Sequence, residues 1–394
     1  MKKLNKLFAI LVAMAMVLSL GVVSAFAADG VTGQTGTEEA PATAKLYKVL
    51  YVPTGTSVDE TFTVKFVEDT DDENKKAIDD KDITIKTANK GTSETAGIDR
   101  YINFITLSFE DNFFPEPGVY TYVVSEKFTP DQDSTNTVTS AKEGNITKTT
   151  VYDTKTYTVK IGVATKADGE TTYVQAIGVY EADGTKVPAG EPSETGEPNG
   201  FKFENKMSKK VSDVTPEGSD PTKDPDAEND DTALYVGKKV TGDTAPEGQA
   251  FSFRLNIKAP ANVPATETRT YNAQIIDKDG NKQSDVTVTT GTAKDFQLQD
   301  GWRLVFTGID VGASYTVTEA DYPAYKVQSG EITEYTYIND AGQNGTTIDN
   351  KYTKNDDPGT GLSIANLPFI VLALVAVGGL VAYVIVRRKS EDNA

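Results

Sequence analysis

The sequence predicts an all-β protein: two tandem antiparallel β-sandwich domains between an N-terminal signal peptide and a C-terminal transmembrane helix. Three observations carry that expectation. Short runs of alternating apolar and polar residues recur along the chain, separated by Gly, Asp, Asn and Pro clusters. From Ala44 to Lys206 no stretch shows sustained helical periodicity. A triplet of polar residues also occurs twice, in the same order, on otherwise apolar strands: Lys48, Glu126 and Asn205, then Lys238, Glu319 and Asn350.

The elements follow in chain order. Residues 1–27 have basic residues, an apolar run and Ala25-Phe26-Ala27, the pattern of a secretory signal peptide cleaved before Ala28. Residues 28–43 are small and polar and read as a flexible leader. The first domain, 44–208, has strands at TFTVKF, YINFITLSF, VYTYVVSE, TKTYTVKIGV and TYVQAIGVY. Residues 209–231 are rich in Pro and acid and read as a linker. The second domain, 232–353, has strands at FSFRLNI, TYNAQIID, DVTVTT, GWRLVFTGI and SYTVTE. Several short strands at regular spacing favour antiparallel sandwiches over α/β folds. Ile364 to Val386 is apolar apart from Asn366, long enough at ~1.5 Å per residue to cross a ~30 Å hydrocarbon core. The basic cluster Arg387, Arg388 and Lys389 then holds the tail, 387–394, in the cytoplasm.

Composition excludes several functions. The 394 residues include no cysteine and no histidine, and the formal net charge is −19. Such acidity argues against nucleic acid, whose phosphates need a basic surface. Without histidine or cysteine the common general base, the thiol nucleophile and the preferred zinc ligands are missing, and no cofactor is expected. The acidic runs near 69–72 and 79–82 read as solvated loops, and Asp277 to Asn281 as a hairpin turn rather than a metal site. A carboxylate-based glycosidase is the remaining enzyme class; its activity on a sugar would depend on Glu126.

The two domains are divergent repeats. FTVKF answers to FSFRL, PGVYTYVVSEKF to VGASYTVTEADY, and FKFENK to TTIDNK. On a strand of period two, each polar member of a triplet points the way of its apolar neighbours. Lys238 lies between Val236 and Val240; Glu126 follows Tyr122 and Val124; Asn205 follows Phe201 and Phe203. A buried charge costs several kcal/mol, roughly, unless paired or neutral, so two domains repeating the same three liabilities suggest amide formation. Lys239 competes with Lys238 but shares a face with Gly237 and Thr241. Lys45 competes with Lys48, and periodicity leaves that pair open because Tyr47 and Val49 are apolar too.

These residues resemble the Gram-positive pilin and surface-adhesin modules of the Ig-like, Cna-B-like isopeptide-linkage type. The likeness rests on the lysine in LYKVLYVP and VGKKVTG, the glutamate of YxVxE, and the asparagine in FENK and IDNK. It favours Lys48 over Lys45. It implies a sortase-anchored pilin or fimbrial subunit in which Lys48 joins Asn205 and Lys238 joins Asn350. Glu126 and Glu319 would carry the protons, each domain acting on itself once rather than as an enzyme with turnover. The likeness extends to the tail, where Asp357-Pro358-Gly359-Thr360-Gly361 is similar to an LPxTG-type sorting signal with Asp in the first position. The resemblance implies cleavage between Thr360 and Gly361. The partners it implies are a sortase and either further pilin subunits or peptidoglycan, with a host or matrix ligand in the adhesin alternative. Lys186, in DGTKVP, matches the position of an inter-subunit lysine, although no YPKN-type pilin motif is present. The alternative reading is a monomeric wall-anchored stalk or adhesin.

Overall fold

The structure, a computed structural model, describes residues 34–69, 75–132, 136–140, 144–193, 196–213, 234–242, 245–340 and 344–353. The signal peptide, the sorting signal with Thr360 and Gly361, the apolar span and the basic tail lie outside the described residues. Among the described residues no helix is long and apolar enough to cross a membrane.

The chain is all-β. The first unit contains β1 (Gln34–Thr35), β2 (Ala44–Pro53), β3 (Asp59–Glu68), β4 (Lys81–Lys86), β5 (Lys90–Gly91), β6 (Ile98–Leu107), β7 (Gly118–Lys127), β8 (Thr137–Thr139), β9 (Ile146–Val151), β10 (Thr156–Thr165), β11 (Thr172–Glu181), β12 (Lys186–Val187) and β13 (Lys202–Val211). The second contains β14 (Leu234–Thr241), β15 (Phe251–Lys258), β16 (Thr270–Ile276), β17 (Lys282–Thr289), β18 (Lys294–Leu298), β19 (Arg303–Phe306), β20 (Ile309–Asp310), β21 (Ser314–Glu319), β22 (Tyr325–Ser329), β23 (Ile332–Tyr337) and β24 (Asn344–Tyr352).

Each unit has two sheets. In the first they run β1-β11-β10-β7-β3-β4, with β12 on β11, and β5-β6-β2-β13-β9-β8. In the second they run β17-β16-β19-β14-β24-β22 and β18-β15-β21-β23. Alternation builds the core: along β3, Phe62, Val64 and Phe66 are buried while their neighbours Lys65 and Val67 face solvent. Leu46, Val64, Tyr122, Val159 and Phe203 join the two sheets of the first unit in one apolar cluster. Phe253, Leu255, Leu304, Val317 and Ile348 do the same in the second.

Four expectations need correction. The sandwiches are not purely antiparallel: β2 pairs in parallel with β13, the last strand of its unit, and β14 with β24, the first and last strands of theirs. This sets the members of each pair side by side in mid-sheet. The leader is ordered from Gln34 on, because β1 pairs with β11 and Ala42 is buried. The linker begins later than residue 209, since β13 runs on to Val211, whose apolar side chain is buried in the core of the second unit. GWRLVFTGI is two strands, β19 and β20. The latter leaves its own unit's sheets and pairs with β13 through Lys210–Asp310 and Val211–Ile309. Asp277 does close a hairpin turn, accepting the backbone N–H groups of Asp279 and Asn281.

β13 and β20 thus form a joint between the units, and a buried carboxylate locks it. Asp340 accepts the Ser57 backbone N–H at 2.7 Å, the Ser57 hydroxyl at 2.8 Å and Lys209 Nζ at 2.6 Å. Gly312, at φ +84°, lets the backbone approach Pro53 so closely that a Cβ would sit 2.2 Å from the Pro53 Cβ.

Candidate functional site

The parallel strand pair places each lysine near its asparagine. Lys48 on β2 lies opposite Phe203 of β13, and Asn205 lies opposite Leu50. Lys238 on β14 lies opposite Ile348 of β24, and Asn350 opposite Val240. The offset is therefore identical: the asparagine is two residues beyond the lysine's cross-strand partner, on the same face. The glutamates come from the facing sheets, Glu126 on β7 and Glu319 on β21.

All three members meet in both units. Lys48 Nζ lies 2.7 Å from Glu126 Oε1, with both side chains wholly buried. Asn205 Nδ2 donates to the same oxygen at 3.4 Å. Lys238 Nζ lies 2.9 Å from Glu319 Oε2, again with no exposure of either side chain, and Asn350 Nδ2 donates to Glu319 Oε1. Each amine also sits over an aromatic face: Lys48 4.7 Å from the Phe62 ring centre, Lys238 4.4 Å from that of Phe251. In the first unit the triplet divides two apolar groups, with Leu46 and Phe203 on one side and Leu50, Phe62 and Met207 on the other.

Burial dominates the electrostatics. It pushes the Lys48 amine down to about 8, against the upward pull of Glu126. It pushes the Lys238 amine down as well, again opposed by its glutamate. The same desolvation raises Glu126 and Glu319 despite the lysines beside them. Amine and acid are thus both drawn toward their neutral forms, which share one proton-transfer contact.

The competing lysines resolve. Lys45 points outward and pairs with the exposed Glu191 at 2.5 Å. Lys239 is exposed. Lys186 sits on β12, half-exposed, in register with Tyr180.

Sequence reasoning missed three participants. Phe62 and Phe251 could have been found, since they occupy the same position in the repeated strands FTVKF and FSFRL. Asp153 had no such signal. It follows β9 in a loop, and its backbone N–H donates to Asn205 Oδ1 at 2.8 Å.

Residues 44–208 match the model of the Spy0128-like isopeptide containing domain, and residues 232–356 match a domain of unknown function (DUF7601). The chain is 25% identical over 318 residues to a pilin of Streptococcus pyogenes serotype M1, covering 77% of this chain and 75% of the relative. Among solved structures, the major pilin from Streptococcus pyogenes is 23% identical, covers 79% of this chain and 99% of its own, and has a TM-score of 0.31. The major pilin T3.2 of the same species is 18% identical, covers 79% and 98%, and has a TM-score of 0.29. Residues 44–208 are thus similar to the Spy0128-like isopeptide containing domain, and the curated relative is a pilin.

Proposed function

We propose that this chain is a sortase-processed pilus subunit whose two domains each close on themselves through a Lys–Asn isopeptide bond. The observation that carries the reading is the convergence of lysine, glutamate and asparagine twice, at one register offset, with the lysine and glutamate side chains shielded from solvent.

The uncharged Lys48 Nζ attacks Cγ of Asn205. A new N–C bond forms, and the carbonyl pair moves onto Oδ1. Glu126 takes a proton from Nζ and delivers one to Nδ2, the C–Nδ2 bond breaks, the carbonyl re-forms and ammonia leaves. Lys238, Glu319 and Asn350 act in the same roles. Fixing the partners in one core replaces an encounter, which supplies a large effective molarity. With no cysteine in the chain, such a bond takes the reinforcing place a disulfide holds in other secreted domains.

For assembly, a sortase cuts between Thr360 and Gly361, and Lys186 of the next subunit resolves the acyl-enzyme on the extracellular surface. The half-exposed edge position of Lys186 supports that role. Intact mass of the secreted chain tests the internal bonds: each one lowers the mass by about 17 Da, the ammonia lost in the attack. Surface extracts test assembly. A polymer gives an SDS-resistant ladder that Lys186→Ala abolishes, whereas a monomeric wall-anchored stalk or adhesin gives a single band.

A further inference from the structure

The two triplets differ at one atom. In the first domain Asn205 Oδ1, the oxygen that takes the carbonyl pair during attack, accepts the Asp153 backbone N–H at 2.8 Å. In the second domain Asn350 Oδ1 is buried, and among the described residues it has no hydrogen-bond donor. We propose that the Asp153 N–H is an oxyanion donor for Lys48–Asn205 bond formation, and that the second domain, lacking its counterpart, closes more slowly. This rests on the isopeptide reading and adds to it a catalytic group and an order of events.

The difference is topological. Asn205 and Asn350 both lie on last strands with an antiparallel neighbour on the side away from the lysine. In the second domain that neighbour, β22, stays paired across the asparagine, with Val327 opposite Asn350. In the first domain β9 stops at Val151, opposite Lys206, one residue short of Asn205. The chain leaves the ladder there, and the next N–H groups turn to other acceptors.

The Asp153 N–H is held in place from both sides. Asn136 brackets Tyr152: its backbone carbonyl accepts the Tyr152 N–H, and its side-chain amide donates to the Tyr152 carbonyl, both at 2.8 Å. The Asp153 carboxylate accepts the Glu204 N–H at 2.9 Å and the Lys155 N–H at 3.0 Å. It thereby fastens the loop to the strand that carries Asn205. A donor fixed before reaction, pointing at the atom where charge develops, needs no reorganisation when the charge appears. The fixed N–H also orients the carboxamide, turning Oδ1 toward Asp153 and Nδ2 toward Glu126, the side from which the leaving group is protonated. The placement carries a penalty. Burial favours the reactive amine of Lys48, whereas Glu126 and, after it, Asp153 favour the ammonium. A carboxylate that works against the nucleophile yet remains beside it fits a positioning role for the loop.

The second domain has a further brake. Lys238 Nζ donates to the Ile348 carbonyl at 3.2 Å, a contact that favours the charged amine.

The test follows both bonds in one molecule. The full chain, kept in denaturant from synthesis, is diluted into refolding buffer and quenched in acid at intervals. Proteolysis and mass spectrometry then measure each branched peptide. The expected result is that Lys48–Asn205 forms before Lys238–Asn350. Asp153→Pro, which removes the N–H, should slow the first bond about a hundredfold and leave the second unchanged. Asp153→Ala, which frees the loop, should slow it less, and Asp153→Asn, which keeps an acceptor for Glu204, should restore it. Asp153→Pro is scored only if its first domain resists protease as an Asn205→Ala chain does; if it does not, the Ala and Asn pair decides. Unchanged first-bond rates in the folded variants, or a second bond as fast as the first, overturn the proposal. Wild-type chain that loses no ammonia in either domain overturns the isopeptide reading itself.

Discussion

Replacing Glu126 by alanine removes one carboxylate and should have two separable consequences. The first is chemical. Lys48 Nζ loses the acid 2.7 Å away and Asn205 Nδ2 loses its acceptor, so no group remains to move the proton. The first bond fails, the second forms, and the intact mass falls by about 17 Da instead of about 34 Da. The second consequence is energetic. Closing a loop of more than a hundred residues is worth about 5 kcal/mol by analogy with disulfide loop entropy, and that is lost. A wholly buried lysine is also left without its partner, which costs about 3–5 kcal/mol more. For a domain of this size about 8–10 kcal/mol corresponds to a fall in Tm of roughly 16–40 °C. The double change Lys48→Met with Glu126→Leu separates the parts, because it forbids the bond but leaves no stranded charge. It should recover the second contribution and remain about 5 kcal/mol below wild type. Calorimetry of the three chains reads the difference. A single variant as stable as the double one, or a Glu126→Ala chain that still loses two ammonias, refutes the reasoning.

Three further outcomes follow. Since only the neutral amine attacks and burial lowers Lys48 to about 8 from an ordinary value of 10.5, the first bond should form faster as pH rises from 6 towards 8; refolding followed by quenched mass spectrometry checks this, and a rate flat over that range is incompatible with it. Lys45→Ala should leave both ammonia losses intact while Lys48→Arg abolishes one, because Lys45 points to Glu191 at the surface and Lys48 is buried on the triplet. Asp340→Ala removes the acceptor of the Ser57 N–H and leaves Lys209 only the Ser57 oxygens, and should weaken the joint by about 2–3 kcal/mol, visible as two separate thermal transitions in place of a coupled one.

What could be read beforehand divides along physical lines. Alternating strands such as TFTVKF and VYTYVVSE were legible because one face of each is buried, and period two records that directly. The strands that escaped notice, among them β4, β9, β18, β22, β23 and the two- and three-residue β1, β5, β8 and β12, are short or carry polar residues on both faces; β23 has exposed side chains over almost its whole length. Their place is set by pairing partners distant in sequence. The triplets were legible because a lysine or glutamate among apolar neighbours is costly and the pattern repeats. The choice between Lys45 and Lys48 was not legible from periodicity, because β2 is buried on both faces, Tyr47 and Val49 as fully as Leu46 and Leu50. Asp153 acts through its backbone N–H, which every residue but proline possesses, so no residue type could have announced it.

The parallel pairing of β2 with β13 and of β14 with β24 gives the proposed bonds a mechanical meaning. Chain enters the first domain on β2 and leaves on β13, and these are neighbours running the same way. Tension between the domain's ends therefore slides the two strands past each other. A bond from Lys48 to Asn205 sits across that sliding plane. It takes β3 to β12 out of the load path, since everything from residue 48 to residue 205 becomes a closed loop. The same holds for β14 and β24 across Lys238 and Asn350. Between the two bonds, force passes along β13 from Asn205 to Val211, where the strand pairs with β20 and its last side chain enters the second core. Apart from the connecting chain between β13 and β14, that joint rests on strand pairing, the Asp340 ion pair and apolar packing. Once both domains are stapled, the joint is the part of the described structure that remains able to yield, so it governs how far a subunit extends.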